Sequence, residues 1–158
     1  MASMGDIYLV GKSDNQTLLA GLGEDFKNWF ITSTRIKYGD KSNGRIIHHF
    51  KNRLIRPVEH KVIIPEYFPQ LLEKVLDTKE GLRFLQVLFE TNDSAEQIKD
   101  TLPKLSGYPL NAIVVWSTKA AVRPTERAAG LFCDNLNFHI YNDYRPRDIG
   151  HARRVRVK

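Results

Sequence analysis

Cysteine is almost missing from this chain of 158 residues, where Cys133 is the only one. An internal disulfide and a cysteine-based zinc site are therefore excluded, and the lone thiol reads first as a small buried hydrophobe. No apolar run approaches the roughly 20 residues a membrane helix needs, and no basic start with an apolar core precedes a small-residue cleavage site. The expectation is an intracellular protein, cytoplasmic or nuclear, with no membrane partner. Internal repeats and low-complexity segments are also lacking. Gly11-Lys12-Ser13 matches the end of a phosphate-binding loop, but the glycine required five residues earlier is Asp6, so the motif fails and carries little weight for nucleotide hydrolysis.

What is present suits one domain. Hydrophobic residues make up 42% of the chain and charged residues 27%, ordinary values for a globular protein. A domain of about 150 residues buries about 70% of its unfolded surface. Met1-Ala2-Ser3, followed by a second Met4, reads as a cloning remnant and is set aside, which leaves residues 4–144 as the domain and 145–158 as a basic tail.

The chain is read as organised around the stretch from Arg83 to Thr118. Arg83 to Glu90 is a nearly continuous apolar run that suits a buried strand. Ser94-Ala95-Glu96-Gln97 fits a capping box, and Ala95, Ile98, Leu102 and Leu105 recur at helical spacing until Pro103 or Gly107 ends the helix. Ala112 to Trp116 is β-branched and uncharged, as in a second strand. The expected fold class is α/β: a single domain with a mixed sheet, a central βαβ unit, an antiparallel middle section and helices on both faces.

Around that unit, Ile7 to Val10 reads as a strand. Asp14 reads as the cap of a helix with Leu18, Leu22, Phe26, Trp29 and Phe30 on its buried face. Thr34 to Tyr38 and Arg45 to Phe50 form a hairpin about Asn43-Gly44, with Ile36 and Tyr38 inward and Arg35 and Lys37 outward. Lys61 to Ile64 adds a strand, and a helix beginning near Pro65 carries Phe68, Leu72, Val75 and Leu76. A short helix is expected near Pro124, then a strand in which Leu136, Phe138 and Ile140 face the core.

The net charge of +6 is local. Residues 145–158 hold Arg145, Arg147, Arg153, Arg154, Arg156 and Lys158 against Asp148, a balance of +5. Residues 45–61 hold Arg45, Lys51, Arg53, Arg56 and Lys61 against Glu59, a balance of +4, so the remainder is −3. Concentrated positive charge is the footprint expected for a polyanion, RNA or DNA, whose phosphates these residues would neutralise. Tyr38, Phe50, Tyr141 and Tyr144 are candidates for stacking on bases. The first expectation is therefore nucleic-acid binding without catalysis or cofactor. Another is an adaptor whose basic tail grips an acidic protein.

Two enzymatic readings compete. Asp40 followed by Glu59-His60-Lys61, the last set beside a strand and before a helix, resembles the restriction-endonuclease-like superfamily. That resemblance implies a nuclease in which Asp40 and Glu59 hold Mg²⁺ and Lys61 assists the attacking water. Against it, Gly39 stands where the superfamily usually has a proline, and the acid-x-Lys spacing recurs at Asp25 and Lys27 and at Asp77 and Lys79. Metal-free RNA cleavage would draw on His48, His49 or His139 with Lys51 for the phosphate. His48 and His49 are adjacent in an expected strand, so they should point to opposite faces and could not share a site without a bulge.

Overall fold

The computed structural model describes residues 1–39, 43–50, 54–66, 69–117 and 125–144. Seven strands form one sheet: β1 (Phe30–Tyr38), β2 (Asn43–His48), β3 (Val58–Ile63), β4 (Gln70–Leu71), β5 (Ile113–Trp116), β6 (Thr125–Cys133) and β7 (Phe138–Tyr144). Their order is β3-β2-β1-β6-β7-β5-β4, and the β5–β7 pair is parallel within an otherwise antiparallel sheet. Among the described residues five α-helices accompany it: α1 (Met4–Lys12), α2 (Gln16–Phe26), α3 (Leu72–Leu76), α4 (Lys79–Leu88) and α5 (Ala95–Ser106). The expected α/β domain with a mixed sheet and an antiparallel middle section is what the chain forms. No helix among the described residues is long and apolar enough to cross a membrane.

The central βαβ unit is corrected, because residues 83–90 belong to α4 and its C-terminal turn. A short apolar run fits either element, and two local signals decide it. The Thr78 hydroxyl accepts from the Gly81 amide and caps the helix. Lys79, Arg83 and Gln86 then recur four and three residues apart, the polar stripe of an amphipathic helix whose Phe84, Leu85, Val87 and Leu88 are buried. α5 carries the expected capping box, passes through Pro103 to Ser106 and ends on Gly107 at φ 72°, a left-handed position that glycine adopts without penalty.

The strand expected from Ile7 to Val10 is corrected as well. Ser3 is fully buried and caps α1: its hydroxyl accepts from the Asp6 amide, and the Asp6 carboxylate accepts from the Ser3 amide. Residues 7–10 are therefore helical, with Met4, Ile7, Tyr8 and Gly11 forming the buried stripe. The Ala2 carbonyl also accepts from the Ser33 amide, so Ala2 and Ser3 are working parts of the fold. The Tyr8 hydroxyl donates to Asp93, and Lys12 Nζ lies 2.8 Å from both oxygens of that carboxylate, which fixes α1 at the start of α5. Lys12 pulls the Asp93 carboxyl below the usual carboxylate range.

Among the described residues the helices do not divide between two faces. Met4, Phe26, Leu72, Phe84 and Leu102, one from each helix, join a single apolar cluster with Ile36, Ile46, Val62, Val115, Leu131 and Ile140, which share one face of the sheet. Two further expectations give way to tertiary structure. The segment after Pro124 is the long strand β6, whose Ala128 pairs with Arg35 of β1 and Tyr144 of β7. Leu136 is 78% exposed, because the Asp134 carboxylate accepts from the Leu136 and Asn137 amides and makes that segment a turn.

Candidate nucleic-acid interface

The sheet face opposite the helices is built by cross-strand register. Lys61 on β3 stands opposite Arg45 on β2, and Arg45 opposite Lys37 on β1. Directly opposed residues share a face, so three exposed cations form a row across neighbouring strands about 4.8 Å apart. Glu126 on β6 is the next residue in that row and ends it. Arg45 also pairs with Glu59 at 3.0 Å, an exposed bridge that contributes at most about 1 kcal/mol. Among the described residues neither Lys37 nor Lys61 has a carboxylate partner. Arg35 faces the same way but is buried, donating to the Thr32 and Thr34 carbonyls with Phe50 stacked on its guanidinium at 5.5 Å.

On β6, β7 and β5 the same face is aromatic. Phe132 opposes His139, and Trp116 pairs with Tyr141. Trp29, in the link between α2 and β1, lies flat on Phe132 with centroids 3.8 Å apart, and Phe132 stacks on His139 at 4.3 Å. Tyr144 meets the Trp29 ring edge-on at 5.1 Å and passes over Gly130, where a Cβ would lie 2.5 Å from the tyrosine ring. His139 is fixed on both sides: its Nδ1 accepts from Trp116 Nε1 at 2.9 Å, and its Nε2 donates to Asp134 at 2.8 Å. That bond and the two backbone amides pull the Asp134 carboxyl down to about 2.

Trp29 has φ 59°, a left-handed conformation that costs a bulky residue of the order of 1 kcal/mol or more. It is nonetheless 47% exposed, so burial of the indole does not account for the strain. The spacing that places Trp29 and Phe30 on a buried helix face is corrected, since α2 ends at Phe26. Trp29, Phe132 and Trp116 are the ring positions that sequence reasoning missed. Of the expected stacking residues, Tyr141 and Tyr144 are in the cluster. Tyr38 faces the core with its hydroxyl bound to the Asn142 carbonyl, and Phe50 covers Arg35.

Glu59 and Lys61 lie two apart on β3 and therefore on one face, with Glu59 held by Arg45. Arg56 is exposed just before β3. Asp40, Lys51, Arg53 and the tail cations Arg145, Arg147, Arg153, Arg154, Arg156 and Lys158 lie outside the described residues. Among the described residues no group of three or more His, Cys, Asp or Glu is placed to hold a metal ion.

The two adjacent histidines do converge, against expectation. His49 has φ 55°, and this left-handed residue turns the chain so that both rings approach Glu90, His48 at 3.6 Å and His49 at 3.9 Å. His48 is fully buried; its Nε2 donates to the Val87 carbonyl, and its Nδ1 accepts from the Thr34 hydroxyl, which itself accepts from the Met4 amide. Burial lowers the His48 pKa, outweighing the opposing pull of Glu90. The unfolded chain then binds the proton more readily than the folded one, so stability should decline as pH falls below about 6.5. Denaturant unfolding at stepped pH should show this decline, and His48→Gln should flatten it.

No family model, curated protein or solved structure matches the chain.

Proposed function

We propose that the chain binds single-stranded nucleic acid on the sheet face opposite its helices, without catalysing a reaction on it. The reading is carried by Trp29, a strained and half-exposed indole stacked on Phe132 beside the row Lys37, Arg45 and Lys61. Exposed aromatic rings stack on bases only where bases are unpaired, and neighbouring cations hold the backbone that joins them. A duplex hides its base faces, so a flat aromatic surface selects the single strand. The basic tail, which begins directly after Tyr144, would add a sequence-independent phosphate contribution.

Anisotropy titrations of single-stranded and duplex oligonucleotides across salt concentration test this reading. Three phosphate contacts from the row alone should give a slope of log K against log salt of about −2, from roughly −0.7 per contact on single strands. Lys37→Glu with Lys61→Glu should remove most of that component. Equal affinity for duplex and single strand, or no binding at low salt, would remove the proposal.

A further inference from the structure

Beyond the flat row, the ends of β1, β2 and β3 enclose an open groove of about 700 Å³. Lys37, Arg45 and Lys61 enter it from the face opposite the helices, and Arg83 enters from the second turn of α4, on the helix side. Tyr38 and Val62, both buried, supply apolar wall. No described lining residue is acidic, and Lys37, Lys61 and Arg83 have no carboxylate partner among the described residues. Glu59 engages Arg45 alone. Four cations in one concavity repel each other, and an anion that they all reach relieves that repulsion.

We infer that this groove takes a phosphate monoester, and specifically the phosphorylated end of a bound strand. The inference deepens the strand-binding reading by naming where a strand would terminate. A monoester carries about −1.5 to −2 charge at neutral pH and three acceptor oxygens, whereas an internal diester carries one charge and continues in both directions. Cations on a single face suit a strand passing over the sheet. Cations on both sides of the strand ends instead surround a group that stops there. Arg83 and Arg45 can each present two parallel N–H donors to such a group, and the two lysines add point charges.

The experiment compares oligonucleotides of one sequence bearing a 5′-phosphate, a 3′-phosphate or neither, together with a nucleoside monophosphate, using the full chain. One phosphorylated end should bind about tenfold more tightly than the unphosphorylated strand. Arg83→Gln, at an exposed helix position outside the strand-binding face, should abolish that preference and leave the affinity for the unphosphorylated strand unchanged. Unchanged affinity on phosphorylation, with binding still dependent on Trp29, would overturn the groove and leave the strand reading intact. A preference that survives Arg83→Gln would overturn the groove equally. Binding of the monophosphate, lost in Arg83→Gln, without binding of any oligonucleotide would support the groove with a small-molecule source and overturn the strand reading. Binding of nothing would overturn both.

Discussion

Replacing Trp29 by alanine is expected to weaken single-strand binding by roughly 5- to 150-fold, because base-on-aromatic stacking is worth about 1–3 kcal/mol per base. Trp29 is half exposed and touches Phe132, Tyr141 and Tyr144, none of which belongs to the apolar cluster beneath the sheet, so the truncation leaves that cluster untouched. Its positive φ supplies an internal control. Trp29→Gly loses the ring as alanine does, but relieves the backbone strain and should unfold at a higher temperature than Trp29→Ala. Trp29→Phe keeps a stacking surface and should retain most of the affinity. Parallel titrations and thermal melts of the three variants separate the two effects. Affinity that follows melting temperature, and not ring content, would sink the assignment of Trp29.

The second large effect is on stability. Phe138→Ala should cost about 3–5 kcal/mol, the range for truncating a buried aromatic, and lower the melting temperature by about 10 °C in a domain of this size. Phe138 has no exposed surface and stands where three strands meet, opposite Ile113 on β5 and Cys133 on β6. Its ring packs edge-on against Phe26 of α2 at 5.2 Å and lies 6.3 Å from Tyr108, which follows α5. Few neighbours can move to fill the space, because two of them are backbone-paired strands. Urea unfolding with an unchanged slope and a lowered midpoint is the expected record. A loss below about 1 kcal/mol would mean that the site collapses around the missing ring.

The parts of the fold legible in the sequence are those fixed by local chemistry. The Ser94 and Gln97 capping box, the β1–β2–β3 meander and the β5 strand each depend on residues close in the chain, and each forms. Residues 83–90 were ambiguous because eight residues of mixed apolar pattern fit two periods, and the Thr78 cap that resolves them lies outside the run. Residues 7–10 read as a strand because setting Ser3 aside removes the cap of α1. β6 could not be read locally: Thr125-Glu126-Arg127-Ala128-Ala129 has helix-compatible composition, and only its placement between β1 and β7 makes it a strand. At the site, Lys37, Arg45 and Lys61 were visible as charge, but their alignment depends on register. The aromatic cluster depends on β6 and on the left-handed Trp29, neither of which periodicity reveals.

The position of β6 also bears on how the molecule assembles. Ile36 of β1 finds its neighbour Arg127 only across nearly the whole intervening chain, and Phe30 finds Leu131 at the same seam. As the polypeptide emerges from the ribosome, the meander can close early, yet the inner border of β1 must wait with its amides and carbonyls unsatisfied. Joining such distant segments pays its entropy before any contact rewards it, so this late closure should set the folding rate. During that interval the exposed border is where two nascent copies would most readily adhere.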